Sequence, residues 1–332
     1  MLGGAVSLFG SSKDPDIPTF PELFETKDSI YACTSDANHI VYVGDASGNL
    51  YAKSARNFES AKLESAVPRR SESDCNGITA IKTCAPGKVV VTTASKAAYI
   101  WDINTNNVVE QAELGQALAR HSSPTMIFAG SWDKTVKCRD LRVNNKDVWK
   151  IDLLGKCHAL DVVSDQLLYV AVTKQQSDSA VCVYDSRNPS RSIRTVVCPS
   201  PVRAISASLS RVVFGTDRGD LIQATHEMSN AVPTKTQNVN TANIARAVIN
   251  QLDWSTKDDK VVVATTAGLL LMVDKDFKVR HHKALVSSAP LTAVSTGNVV
   301  VVCKSYNWHD GGLAMRQGTT YKHNQVLVLR KA

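Results

Sequence analysis

The chain has 332 residues, of which 43% are hydrophobic and 21% charged, so it can bury a core and is neither a disordered tail nor a fibre. Its uninterrupted apolar runs fall short of the roughly 18 residues that a membrane span requires, so we expect a soluble protein. The net charge of +7 favours acidic partners.

Eight cysteines are scattered along the chain, and none of them forms a C-x-x-C pair. This pattern predicts a reducing compartment rather than a disulfide framework. We therefore expect most of the thiols to be buried as small apolar groups.

Seven segments each join two β-type runs across a short polar turn, which predicts a β-hairpin in every one. The hairpins return at a spacing typical of propeller repeats, and no segment has sustained helical periodicity. In chain order they are Val41–Lys53, Val89–Asp102, Met126–Asp140, Leu167–Asp185, Arg211–Thr225, Lys260–Asp274 and Asn298–Arg330, the last with a long insertion.

These hairpins predict an all-β, seven-bladed propeller that forms a single domain over residues 19–332, after a flexible extension over residues 1–18. Because a ring of blades needs its ends joined, we expect Thr19–Phe24 to add a strand to the last blade. The polar segments Ser65–Asp74 and Glu227–Asn243 are predicted to be loops between strands.

The sequence contains none of the patterns of common catalytic or cofactor sites. It lacks G-x-S-x-G, G-x-x-x-x-G-K-S/T, H-E-x-x-H and a G-x-G-x-x-G that follows a strand. The adjacent His281 and His282 would point to opposite sides of a strand, so they cannot hold one metal ion together. We predict no catalytic residue, no metal and no cofactor, and favour a binding protein over an enzyme.

A basic cluster follows the sixth hairpin, where Lys275, Lys278, Arg280 and Lys283 are candidates for binding phosphates. The alternative is a solvated edge on which lysines discourage strand pairing between molecules. Two tryptophans lie beside polar turns or loops: we expect Trp132 to pack within its blade, whereas Trp308 is a candidate for an exposed binding residue.

Several strings resemble a known family. Gly130–Lys137 (GSWDKTVK), which contains Trp132 and Asp133, resembles the third-blade signature G-S-W-D-K-T-x-K of two sister groups, the Rae/Gle-type nuclear mRNA export factors and the Bub-type mitotic checkpoint propellers. Three further strings resemble the export factors in particular, and these are Ser7–Gly10 (SLFG), Asp274–Asp276 (DKD) and Ser305–Trp308 (SYNW). The resemblance implies a seven-bladed WD-repeat β-propeller.

The resemblance also implies a function. The export group consists of non-enzymatic adaptors in nuclear mRNA export, which dock on an acidic GLEBS-type segment of an FG-nucleoporin at the nuclear pore. We accordingly expect a nuclear protein that shuttles to the cytoplasm, acts as a monomer within a heteromeric complex and has no membrane contact. By position, Lys275, Lys278 and Arg280 match the basic residues with which that group meets nucleic acid, so RNA is a further expected partner.

Departures from the family pattern concern the expected peptide-binding residues. Where the family has the arginine of G-S-I-E-G-R, which pairs with a glutamate of the nucleoporin peptide, this chain has Asp220, and Arg218 is the candidate replacement. The family tryptophan of blade three is Arg139 here. Arg203 resembles the arginine in the I-R-A string of the checkpoint group, which keeps open a propeller that binds checkpoint kinases at kinetochores. A WD-repeat scaffold of another complex is a third interpretation.

Overall fold

The structure is a computed structural model. It describes residues 21–68, 76–95, 97–113, 117–122, 126–140, 142, 147–164, 166–175, 178–226, 235–238, 247–255, 259–281, 290–296, 299–305 and 324–330. The extension over residues 1–18 and Trp308 lie outside these ranges, so the expectations for them stay predictions. No helix in the described ranges is long and apolar enough to cross a membrane.

The described residues form seven antiparallel sheets of four strands each. Strand β1 (Glu22–Thr26) comes first in the chain and belongs to the last sheet. Blade 1 contains β2 (Ile30–Ser35), β3 (Ile40–Asp45), β4 (Asn49–Ser54) and β5 (Leu63–Ala66). Blade 2 contains β6 (Ile78–Ala85), β7 (Lys88–Thr93), β8 (Ala97–Asp102) and β9 (Asn107–Glu113). Blade 3 contains β10 (Ala117–Ser122), β11 (Met126–Ser131), β12 (Thr135–Asp140) and β13 (Asp147–Asp152).

The remaining blades follow the same order. Blade 4 contains β14 (Lys156–Val163), β15 (Leu167–Gln175), β16 (Asp178–Asp185) and β17 (Arg194–Cys198). Blade 5 contains β18 (Val202–Ala207), β19 (Arg211–Thr216), β20 (Asp220–Thr225) and β21 (Lys235–Asn238). Blade 6 contains β22 (Ile249–Ser255), β23 (Lys260–Thr265), β24 (Leu270–Val273) and β25 (Val279–His281). Blade 7 contains β26 (Leu291–Thr296), β27 (Val299–Lys304) and β28 (Asn324–Arg330), with β1 as its outer strand.

The second strand of each blade shows why this sequence forms a ring of stacked sheets. In β7, β19, β23 and β27 nearly every residue is buried, whereas the outer strand β13 alternates between partly covered and exposed positions. A strand covered on both faces needs an uninterrupted apolar run, and the valine-rich runs provide it. The seven predicted hairpins are confirmed as the second and third strands of the seven blades.

The ring is closed between its first and last blades. The inner strands contact one another around the ring, and β26 of blade 7 meets β2 of blade 1. Strand β1 pairs with β28 in antiparallel register, and Ile30 N donates a hydrogen bond to Ser305 Oγ at 2.9 Å across the same seam. The predicted latch is therefore confirmed, with its strand at Glu22–Thr26.

Polar side chains of the inner strands tie neighbouring blades together. Asp161 Oδ2 accepts a hydrogen bond from Ala207 N at 2.8 Å, and Asp253 Oδ2 accepts one from Thr296 Oγ1 at 3.0 Å. Burial lowers the pKa of Lys82, but the carboxylates of Asp253 and Asp161 outweigh it and leave this pKa raised. Lys82 therefore stays charged and balances the two carboxylates that join blades 4 to 5 and 6 to 7.

Two predicted loops contain strand residues, so these predictions were wrong in part. Lys235–Asn238, inside the predicted loop Glu227–Asn243, pairs with β20 as the outer strand of blade 5. Ser65 and Ala66, at the start of the other predicted loop, belong to β5. Both segments are polar because an outer strand meets solvent, and their strand conformation comes from hydrogen bonds to the third strand of the blade.

The prediction that most of the thiols are buried is confirmed for the described residues. Seven free cysteines lie in them; six are buried, and Cys182 is half-buried. Burial raises the pKa of Cys157 to about 12 and that of Cys198 to about 11. These thiols are therefore unreactive apolar core groups.

Candidate functional site

The two ends of the ring carry different turns. The inner strands begin at one end, which also carries the turns between second and third strands, and we call it the top face. The opposite end, the bottom face, carries the turns that join first to second and third to fourth strands. Loops on a rigid ring are where binding residues concentrate, so each predicted site residue is assigned to one of these faces.

Every inner strand has a β-bulge near its start, which leaves one residue of the strand out of the ladder. Bulges bend a strand and redirect the side chain of the extra residue. The bulges therefore form a ring of seven bulged backbone positions at the top face. The residues at these positions are Tyr31, Thr79, Leu118, His158, Arg203, Asn250 and Thr292.

Trp132 lies in the top-face turn of blade 3 and reaches the neighbouring blade. Its ring centroid lies 5.9 Å from that of His158 in an edge-on arrangement, and Lys156 Nζ lies 5.2 Å from the Trp132 centroid. The ring is half-buried, so the expected packing within its own blade is only part of its environment. Asp133 closes this turn, because its Oδ1 accepts hydrogen bonds from Thr135 N at 3.0 Å and Thr135 Oγ1 at 2.6 Å.

The charge of this region comes from lysine and arginine rather than from histidine. Burial, together with the positive charges of Arg203 and Lys156, lowers the pKa of His158 to about 4. His158 is consequently neutral near pH 7. The Trp132 ring facing the Lys156 ammonium adds a cation–π contact.

Arg203 occupies the bulge of blade 5, beside the turn that carries Arg218. Arg203 is half-buried and Arg218 is exposed. Asp217 N donates to Pro201 O at 2.9 Å, which holds this turn against the start of the inner strand. The buried atoms Arg203 Nε and Asp217 Oδ1 have no hydrogen-bond partner among the described residues.

These side chains form one continuous patch over blades 3 to 5, which we call the basic–aromatic surface. It consists of Trp132, Lys156, His158, Arg203 and Arg218. Beside it, Leu154 lies in the turn between β13 and β14 with 77% of its surface exposed. An apolar side chain this exposed, next to an aromatic ring and several cations, is typical of a protein-binding surface.

Asp220, the third residue predicted to bind a partner peptide, lies at the start of β20. Its backbone N donates to Thr216 Oγ1 at 2.9 Å, and its Oδ2 accepts from the same hydroxyl at 3.3 Å. Asp220 thus helps to close the turn that presents Arg218. Peptide binding by Arg203, Arg218 and Asp220 stays a prediction.

The predicted nucleic-acid residues lie on the bottom face, away from the basic–aromatic surface. Lys275 and Lys278 are exposed in the turn between β24 and β25, and Arg280 lies in β25. The turn is held by Asp274, whose Oδ1 accepts hydrogen bonds from Lys278 N and Asp276 N. The two aspartates offset the charge of the two lysines, so phosphate binding here stays a prediction.

Arg139, in the position of the family tryptophan of blade three, forms a buried ion pair. Its Nη2 lies 2.7 Å and its Nε 3.1 Å from Asp147 Oδ1 on the outer strand of the same blade. The side chain of Arg139 is 10% exposed. The ion pair therefore fixes β13 to β12 where an aromatic side chain would do so by packing.

Three residues of the top face were missed at the sequence level: Leu154, Lys156 and His158. The signal that could have found them is their order, with Gly155 in the turn and Lys156 directly at the start of an inner strand. Their contact with Trp132 comes from the neighbouring blade, which sequence spacing does not reveal. Among the described residues no group of three histidine, cysteine or acidic side chains could hold a metal ion.

No protein-family model and no curated protein matches this sequence. Solved structures do match it. A structure of U3-55K has a TM-score of 0.73 at 13% identity, covering 94% of this chain and 98% of that one. A crystal structure of RRP9 WD40 repeats gives 0.73 at 13% identity, with 95% and 99% covered. A computationally designed protein, Ika8, gives 0.60 at 18% identity, with 85% and 83% covered.

At these identities the likeness concerns the fold alone. Seven four-stranded blades in a closed ring agree with the WD40 architecture of these neighbours. The chain therefore has the fold of a seven-bladed WD40 propeller.

Proposed function

We propose that this propeller is a non-enzymatic adaptor whose top face binds an extended, acidic segment of a partner protein. The observation that carries the proposal is the basic–aromatic surface, which combines an accessible aromatic ring, a neutral histidine and several cations in one patch. Aromatic rings and arginines are the residues that most often anchor a protein interface.

Charge and hydrogen bonding both favour an acidic extended chain. Lys156, Arg203 and Arg218 supply positive charge, whereas Asp133 and Asp220 use carboxylate oxygens to close turns. Partner carboxylates would pair with these cations and speed association at low salt. Arginine guanidinium groups also donate hydrogen bonds to carbonyl oxygens of an extended backbone.

Within this role, we propose nuclear mRNA export as the process, with a GLEBS-type segment of an FG-nucleoporin as the partner. The support is the resemblance of Gly130–Lys137, Asp274–Asp276 and Ser305–Trp308 to the export group. Nuclear localisation with shuttling, and contact with RNA through the bottom-face lysines, belong to the same proposal.

A second candidate is a spindle-checkpoint propeller that binds checkpoint kinases at kinetochores. The observation that favours it is Arg203, which matches the arginine of the checkpoint group's I-R-A string and lies within the basic–aromatic surface. Both candidates use the same surface, so the identity of the bound segment separates them.

The test is affinity purification of the tagged full chain, beside variants Arg203→Gln and Arg187→Gln. Arg187 is exposed on the bottom face and is paired with Asp185, so its variant is the matched control for loss of one arginine. We expect a GLEBS-bearing nucleoporin with the wild type and the control, and its loss with Arg203→Gln. Recovery of a checkpoint kinase in its place would contradict the export role and support the second candidate.

A further inference from the structure

A groove on the bottom face runs between blades 4 and 5. It is shallow, and its enclosed free space has room for about one water molecule. A ligand side chain would therefore pack against the rim of the groove rather than inside it. The lining residues, which define the bottom groove, are Leu167, Tyr169, Val183, Ile193, Arg194 and His226.

The walls of the bottom groove are held by hydrogen bonds between the two blades. Tyr169 Oη lies 2.5 Å from His226 Nδ1, and His226 Nε2 lies 2.6 Å from Ser208 O. Since a carbonyl only accepts, Nε2 donates to Ser208 and Nδ1 accepts from the Tyr169 hydroxyl. Arg194 Nη1 also donates to Thr225 O at 2.9 Å. The groove is thus formed before any partner arrives, which lowers the entropy cost of binding.

The hydrogen-bonding groups of Tyr169 and His226 are used within the protein, so the surface that the groove offers to a ligand is apolar. Both ring nitrogens of His226 are used, and Tyr169 is 3% exposed. By contrast, Ile193 is 43% exposed at the rim of the groove, and Leu209 is 81% exposed in the adjacent turn that contains Ser208. Single exposed hydrophobic residues are common on protein surfaces, but two large aliphatic side chains beside one preformed groove are typical of an interaction site.

The rim of the groove is positively charged. The segment 185–194 contains three arginines and one acidic residue, Asp185. Arg187 pairs with Asp185 at 2.7 Å, whereas Arg191 is exposed and has no ion pair among the described residues. Arg194 lines the groove itself. A ligand would therefore contact an apolar surface with the positive charges of Arg191 and Arg194 on one side.

We infer that the bottom groove is a second docking site, which takes an extended peptide segment with one aliphatic side chain flanked by acidic residues. The aliphatic side chain packs between Ile193 and Leu209, and the flanking carboxylates face Arg191 and Arg194. A nucleic acid fits less well, because sequence-tolerant binding to single strands uses exposed aromatic rings for stacking, and the tyrosine ring in this groove, Tyr169, is covered. The inference is independent of the proposed function at the top face.

The experiment screens a phage-displayed library of short random peptides against the full chain. Selected peptides are synthesised, and their binding is measured by fluorescence anisotropy with the wild type and with the double variant Ile193→Ser, Leu209→Ser. The matched control is Val109→Ser, Val148→Ser, which removes two exposed aliphatic side chains from the outer strands of blades 2 and 3. Because all four residues are exposed, these variants are expected to fold, and thermal unfolding checks this.

The inference requires three results. Peptides with one aliphatic residue between acidic residues are selected, they bind the double variant weaker by about tenfold or more, and they bind the control variant as they bind the wild type. Arg191→Gln weakens their binding at low salt and changes it little at high salt. Selection of no such peptide, equal binding to the double variant, or preferential binding of a single-stranded RNA probe in the groove would overturn it.

Discussion

Strand β1 closes the ring, and Phe24 is the side chain whose removal tests that closure. Phe24 is 8% exposed, its ring lies 6.1 Å from that of Tyr51 in blade 1, and Lys62 Nζ lies 5.5 Å from its centroid. Truncating a buried phenylalanine to alanine costs about 3–5 kcal/mol. Because β1 is an outer strand whose cavity solvent can partly fill, we expect Phe24→Ala to cost about 3 kcal/mol, the lower end of that range.

The assay is urea denaturation followed by circular dichroism, with thermal unfolding beside it. At about 2 °C per kcal/mol for a chain of this size, the midpoint of thermal unfolding falls by about 6 °C. The control is Val148→Ala on an outer strand, where the side chain is 54% exposed, and it changes stability by less than about 0.5 kcal/mol. A loss for Phe24→Ala no greater than that of the control would refute the idea that β1 holds the ring closed.

Three further predictions concern charged residues. Asp147→Ala leaves the buried Arg139 guanidinium unpaired, so it should lower the free energy of unfolding by about 2 kcal/mol in urea denaturation. Arg139→Met leaves a 29% exposed carboxylate that water can solvate, so it should lower that free energy by less than about 1 kcal/mol. Equal losses for the two variants would contradict this. Because the pKa of His158 falls to about 4 on folding, the unfolded chain binds more protons than the folded chain between about pH 4 and 6.5. Stability should therefore fall as pH drops from about 6.5 to 4. His158→Gln should reduce the change of the thermal unfolding midpoint with pH across that range. Reversing the charges of Lys275 and Lys278 should weaken RNA binding and lower the slope of log affinity against log salt by about 1.4, and an unchanged slope would exclude them from the RNA site.

The hairpins could be predicted because their signal is local. Valine-rich runs such as those in β7 and β27 need burial on both faces, and the polar turns between them restrict the chain to a hairpin. Repetition at the spacing of propeller blades then leaves a closed ring as the simplest way to cover seven such hairpins.

The outer strands and the site were harder to predict, for different reasons. Lys235–Asn238 is a polar segment with no strand signal of its own, and its conformation depends on pairing with β20. Trp132 meets Lys156 and His158 only because two blades lie side by side. Sequence patterns identify residues within one blade, whereas the basic–aromatic surface forms between blades.

The bulge positions can be recognised in the sequence only once the fold is known. His158 and Arg203 each stand one residue before an alanine in an inner strand, which is where the ladder of each blade skips a residue. In the sequence they are isolated residues in apolar runs. Only the shared register of the blades places both on the top face.

The measurement that tests the central claim most directly is the affinity of the top face for an acidic extended peptide. Binding of a synthetic glutamate-rich peptide with interspersed apolar residues is measured by isothermal titration calorimetry to the wild type, Trp132→Ala, Arg203→Gln and the control Arg142→Gln, at low and high salt. Arg142 is exposed on the bottom face of blade 3, outside the bottom groove, and is paired with Asp140. The account predicts binding that weakens with salt, a loss of about tenfold or more for Trp132→Ala and for Arg203→Gln, and no change for Arg142→Gln. Equal affinity for all four proteins would contradict it.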